Sequence, residues 1–322
     1  MSIIISNSEP PRSLTADTAT ATASRPPVAL VLAAFAAVYL VWGSTYLGIA
    51  LAIDSIPPLL MTGARFFIAG SILYGVMRLR GVPRPDVGHW KSATVTGALL
   101  LMAGNGGVCW AQQTVPSGVA ALVVAAVPLW IMLADWLRPN GLRPTGRVVL
   151  GLVVGMTGVT LIILGRGELG QRVVEPMAAA VLVGANICWA LGSIYARHAR
   201  RPESPLLGVA MQMLCGGTLQ ILSGLALGEA GELDLAAITP ASAWAFVYLT
   251  LVGSLVGFSA YIWLLQVSTP ARVSTHAYVN PFVAVLLGWW VLNEPVPHSV
   301  VIAGVLILSS VVLITRAPRG SH

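Results

Sequence analysis

The chain has 322 residues, 56% of them hydrophobic and only 9% charged, with a net charge of +6 and a mean hydropathy of +0.82. That composition belongs in lipid and excludes a soluble globular domain. The 18 basic residues stand singly between apolar runs, which excludes the continuous stripe that a nucleic-acid partner needs. Cys109, Cys188 and Cys215 form no metal spacing and each falls in an apolar run, so neither a metal nor a disulfide is expected.

In chain order, residues 1–27 are rich in Ser, Thr, Ala and Pro and are expected to be a disordered cytoplasmic tail. A spanning helix needs about 20 apolar residues. Ten such runs follow, near 28–51, 57–79, 90–114, 116–136, 145–164, 175–197, 205–227, 240–266, 270–291 and 297–315, before a second cytoplasmic tail at 316–322. The first run is too long and starts too late for a cleaved signal peptide.

Loops rich in Lys and Arg stay in the cytoplasm. Arg12 and Arg25 precede span 1; Arg78, Arg80, Arg84 and Lys91 follow span 2; Arg138, Arg143 and Arg147 follow span 4. Arg197, Arg200 and Arg201 follow span 6, Arg272 follows span 8, and Arg316 and Arg319 end the chain. The other loops hold Arg166 and Arg172 and carry acids: Asp54, Glu168, Glu175, Glu229, Glu232, Asp234 and Glu294. Both termini are therefore expected in the cytoplasm, with an even number of spans.

The chain repeats itself. Trp90, Gln112 and Pro116 recur 154 residues later as Trp244, Gln266 and Pro270, and Pro128, Trp136 and Gly151 recur 153 residues later as Pro281, Trp289 and Gly304. GSTY from Gly43 recurs as GSIY from Gly192. Five spans per half is an odd number, so the second half (175–315) enters the membrane from the opposite side to the first (28–166). An inverted repeat of this kind is the usual build of secondary transporters, whose equivalent halves exchange roles around a central site. The plain alternative is a duplication kept for packing alone.

WGSTY in span 1, PLLMTGARF entering span 2, the Gln and Pro phrase around span 4 and NEPVPHSVVIAGVLIL at the end make the chain resemble the EamA family of the drug/metabolite transporter superfamily over residues 28–315. The resemblance implies an all-α membrane protein of ten transmembrane helices in two EamA repeats, placed in the bacterial inner membrane. Within the family, the aromatic-rich, YddG-like exporters of aromatic amino acids are nearest in character.

Polar side chains deep in a membrane face a partner helix or a wet cavity. Asn105, Cys109 and Gln112 share one face of span 3, and the repeat offset places Ser259, Trp263 and Gln266 on one face of span 8, as opposite walls of one cavity. His276 and Asn280 stand a turn apart in span 9, next to Pro281. Central aromatic residues Trp42, Tyr46, Trp110, Trp189, Tyr261 and Tyr278, with Ser193, complete the expected substrate cavity, in which rings stack and amides orient. Each is a packing residue in the plainer reading. Trp90, Trp136, Trp244, Trp289 and Trp290 read as interfacial anchors.

Arg65 is the full charge placed well inside a span, either a substrate-carboxylate contact or a structural cation near the outer rim. None of the 12 acids lies in the middle third of a span, so a facilitator or exporter without a buried carboxylate for ion coupling is expected. Pro128 and Pro281 are candidate hinges, and GLVVG (from Gly151) and GSLVG (from Gly253) permit close helix contact. Lys91 has no Walker glycines before it and no GxSxG or HExxH occurs, which argues against an ATP-driven pump and an intramembrane hydrolase. The function expected is transport of small amphiphilic metabolites, foremost aromatic or neutral amino acids, by alternating access. The competing readings are a drug or other metabolite exporter of the same fold and a channel or scramblase. The partners expected are a small-molecule substrate and the lipid bilayer, without nucleic acid or cofactor, in a monomer or weak homo-oligomer.

Overall fold

The computed structural model describes residues 27–137, 145–165, 174–273 and 275–315. All regular structure among them is helical. The chain forms α1 (Val28–Ala52), α2 (Pro58–Leu79), α3 (Val87–Ala111), α4 (Ser117–Leu137), α5 (Gly146–Leu164), α6 (Pro176–His198), α7 (Pro205–Ala226) and α8 (Pro240–Val267). These eight are long and apolar enough to cross a membrane; two shorter apolar helices follow, α9 (His276–Leu292) and α10 (His298–Thr315). The ninth apolar run, expected from residue 270, divides into a turn of helix, Pro270–Val273, and α9. Proline opens α2, α6, α7 and α8, where its missing N–H costs no helical bond. The expected tails at 1–26 and 316–322, and the loop charges Arg138, Arg143, Arg166, Glu168 and Arg172, lie outside the described residues.

Small residues set the main pairings. A Cβ on Gly63 of α2 would lie 2.8 Å from Ile221 N of α7, and one on Gly70 would lie 2.8 Å from Leu214 N, so the two helices are in backbone contact and run antiparallel. α5 and α10 do the same: Gly151 meets Ile314 and Gly158 meets Ile307. Each pair holds the same place in its set of five, so equivalent helices of the two halves run in opposite senses. The remaining contacts obey the same exchange: α1 packs on α8 and α9 while α6 packs on α3 and α4, and α2 packs on α8 while α7 packs on α3. The largest apolar core, including Leu129, Ile162, Leu182 and Ile307, lies among α4, α5, α6 and α10. Leu150, Val153, Phe282, Trp244, Trp289 and Trp290 face outwards, as a lipid-facing surface requires.

Three helices contain wide π turns: Ala37–Val41 in α1, Gly97–Asn105 in α3 and Leu249–Val256 in α8. The last two occupy equivalent helices, and the 154-residue offset carries 97–105 onto 251–259. Such turns loosen the regular ladder of backbone bonds and cluster at functional sites. α4 breaks at Ala125–Ala126, just before Pro128, and Asn186 of α6 repairs the break by donating from Nδ2 to Val123 O at 2.8 Å. Pro281 lies inside an uninterrupted α9, where its ring denies Ala277 O the usual donor.

Candidate functional site

The centre of the bundle is organised by two tryptophans on glycines. Trp42 of α1 lies directly over Gly257 of α8, leaving no room for a Cβ there, and its Nε1 donates to Gly253 O at 3.3 Å. Trp189 of α6 lies against Gly104 of α3, where a Cβ would stand 2.8 Å from Trp189 Cε3. Trp42 and Gly104 belong to the first half and Trp189 and Gly257 to the second, so each half lends one tryptophan to the wide-turn helix of the other, although the two pairs are not strict repeat mates.

Around Trp42 the rings close into a box: Tyr261 at 5.0 Å, Phe258 at 5.2 Å and His276 at 5.4 Å between centroids, with Tyr261 and His276 at 5.6 Å. Edge and tilted arrangements of this kind satisfy the ring quadrupoles. His276 Nδ1 lies 2.9 Å from Val273 O; a carbonyl only accepts, so Nδ1 carries a proton. Asn280, with Nδ2 turned towards them, donates to Tyr39 O at 3.2 Å and to His276 O at 3.1 Å. In each wide segment a carbonyl receives a side-chain donor from another helix: Tyr39 O from Asn280, Leu101 O from Gln220 Nε2 at 2.8 Å, and Gly253 O from Trp42. That is the accounting buried carbonyls demand.

Beside this lies a cation. Arg65, expected as a carboxylate contact or a rim cation, is 3% exposed between α2 and α8. Its Nε donates to Ser254 Oγ at 3.1 Å and its Cζ lies 4.4 Å from the Phe66 ring, while Nη1 is buried without a partner among the described residues. A lone guanidinium at such depth costs about 3 kcal/mol or more. On α3, Asn105 Oδ1 and both amide atoms of Gln112 are likewise buried without partners among the described residues.

The face of the bundle opposite the chain ends carries two carboxylate straps. Glu229 accepts from Leu59 N at 3.1 Å and Leu60 N at 2.8 Å, binding the α7–α8 connection to the start of α2. Glu294 accepts from Ser117 N at 2.7 Å, Ser117 Oγ at 3.0 Å and Gly118 N at 3.1 Å, binding the α9–α10 connection to the start of α4. Each joins an acid of the second half to a helix N-terminus of the first, where free N–H groups and the helix dipole favour an anion. Each carboxylate also rests on a glycine, Gly224 and Gly288 respectively. At the other face the corresponding cap is open to solvent. Asp86 accepts from His89 N at 2.8 Å and lies 3.3 Å from Arg200 Nη2; the His89 N–H, then the charges of His89 and Arg200, hold its carboxyl below the usual aspartate range.

The sequence pattern of the EamA-like transporter family matches residues 28–164 and, a second time, residues 176–316. The chain belongs to this family. It is 36% identical over 281 residues to the uncharacterized inner membrane transporter YedA of Escherichia coli K12, covering 87% of this chain and 88% of that one. It is 26% identical over 282 residues to a probable terminal-alkyne amino-acid exporter of Streptantibioticus cattleyicolor, covering 87% and 91%. A crystal structure of a protein 22% identical to it shares the fold, with a TM-score of 0.60 over 89% of this chain and 97% of the other. With its apolar helices, this EamA transporter is a multi-pass inner-membrane protein.

In this EamA member, Trp42, Tyr261, His276 and Asn280 come together, and Trp189 lies on Gly104 of α3. Other expected cavity residues lie apart. Cys109 is fully buried, accepting from Thr62 Oγ1 at 2.9 Å in a packed cluster with Met61 and Leu249. The Tyr278 hydroxyl donates to Val311 O of α10 at 3.2 Å. Trp263 packs near the start of α1, and Gln266 is exposed where its repeat mate Gln112 is buried. Tyr46 packs on the main core, while Trp110, Ser193 and Ser259 are half-buried. Phe258, Ser254, Gln220, Asn186 and the straps were missed from sequence. Phe258 alone left a signal, three residues before Tyr261 on the same helical face.

Proposed function

We propose that this transporter moves small amphiphilic metabolites, foremost aromatic or neutral amino acids, out of the cell by alternating access. The observation that carries this is the pair of exchanged Trp–Gly seats on antiparallel equivalent helices: one element from each half meets the wide-turn helix of the other, so rocking one half against the other remodels both walls together. In this reading α9 and α10 also span the membrane, making ten spans with both chain ends cytoplasmic, and the Glu229 and Glu294 straps close the outer face. The ring box around Trp42 supplies stacking surface and the amides on α3 supply orientation. The amino-acid exporter among the relatives is consistent with this class of solute. Among the described residues the buried acids, Asp135 and Glu229, stand at helix ends, which supports a facilitator rather than an ion-coupled carrier.

The test is counterflow in liposomes holding the pure protein. Radiolabelled phenylalanine, tryptophan or methionine should exchange against an excess of the same solute, saturably, and an imposed pH gradient should not drive it uphill. Linear, non-saturable flux would favour a pore.

A further inference from the structure

Packing alone gives no account of Arg65. It is 3% exposed in the middle of α2, Nη1 has no partner, and it forms no ion pair among the described residues. The acid nearest along α2, Glu229, already spends both carboxylate oxygens on Leu59 N and Leu60 N, and Glu294 serves α4. A buried cation with an open donor calls for an anion that the described residues do not supply.

Its position adds a second observation. Thr62 of α2 touches Cys109 of α3, and further along α2 Phe66 and Ala69 cluster with Leu101, so the helices run in opposite directions. Asn105, one turn back from Cys109, therefore stands level with Arg65, and its Oδ1 is buried and without a partner. Ser254, which holds Arg65 Nε, lies in the wide segment of α8, and Asn105 ends the wide segment of α3. One open cationic donor on α2, tied to the wide segment of α8, and one open acceptor at the end of the wide segment of α3 thus stand at the same depth.

We propose that Arg65 Nη1 receives the carboxylate of a zwitterionic substrate and Asn105 Oδ1 its ammonium group, so that a free carboxylate is a requirement for transport. This rests on the transport reading above and narrows its substrate class. Guanidinium–carboxylate bonds are charge-assisted and geometrically selective, and the substrate would remove the cost of the lone charge only while bound.

The experiment compares L-phenylalanine and L-methionine with L-phenylalaninamide and L-methioninamide in counterflow. The wild type should exchange each acid at least about tenfold faster than its amide. Arg65→Gln should erase that preference, and Arg65→Lys should restore part of it with a higher half-saturation concentration. Equal exchange of acid and amide by the wild type overturns the proposal while leaving the transport reading intact. Exchange of none of the four solutes overturns both. Should Arg65→Gln fail to fold, thermal unfolding of the wild type decides: stabilisation by the amino acids but not their amides supports the assignment, and stabilisation by chloride alone overturns it.

Discussion

Trp42 and Trp189 each lie on a glycine of the other half's wide-turn helix, yet they are furnished differently. Trp42 stands among Phe258, Tyr261 and His276 with its Nε1 bonded to Gly253 O; Trp189 lies beside Gly104, next in sequence to Asn105, whose Oδ1 has no partner among the described residues. The two halves share one skeleton, yet rings gather around Trp42 while an amide stands beside the seat of Trp189. The straps show the same asymmetry, since both known carboxylates come from the second half.

The sharpest way to break the comparison is steric. Gly257→Val should collide with Trp42 and lower stability by about 2–3 kcal/mol in thermal unfolding, more than Gly104→Val, because Trp42 is pinned on several sides. An equal or larger loss at Gly104 would mean the two seats are equally rigid. Trp42→Ala empties the ring box; a loss near 2–3 kcal/mol and at least a tenfold drop in amino-acid exchange are expected, against a smaller stability loss for Trp189→Ala.

The straps test the asymmetry between faces. Glu294→Ala strips three donors of their acceptor and should cost about 1–2 kcal/mol, with Glu229→Ala, which strips two, below it. A thiol introduced at Ser117 should label faster from outside when Glu294 is also replaced; unchanged labelling would remove the strap from the gate. The smallest effect belongs to exposed Asp86, whose replacement by Asn should lower the melting temperature at neutral pH only slightly. Because its carboxyl titrates below the unfolded aspartate value, whatever stability it lends is present above about pH 4 and fades as pH falls through the folded value, so the small gap between wild type and Asp86→Asn should close on acidification, and a gap that widens at low pH would contradict it.

Much of the centre was legible in the sequence. Trp42, Tyr261, His276 and Asn280 announced themselves as aromatic or polar groups at depth, and the 153–154 residue echoes announced two equivalent halves. The glycines of GSLVG and GLVVG signalled close approach, and the structure seats Trp42 on the first motif and α10 on the second. What stayed hidden depended on partners far along the chain. Glu294 read as a loop acid because Ser117 lies 177 residues away, and Glu229 lies 170 from Leu59. Gln112 and Gln266 read as equals, yet one is buried and the other exposed, because symmetry of sequence does not carry symmetry of neighbours.

By itself the sequence determined the solvent, the helical class, the order of apolar segments and the doubled plan, since in lipid every backbone group must be satisfied within its own helix and hydropathy is enough to say where. Only the tertiary structure decided which tryptophan meets which glycine, that Arg65 is enclosed without a counter-ion among the described residues, and that acids of one half bind helix ends of the other. Those are contacts between surfaces, and a surface's partner is chosen by shape and unmet hydrogen bonds across the whole bundle rather than by any local pattern.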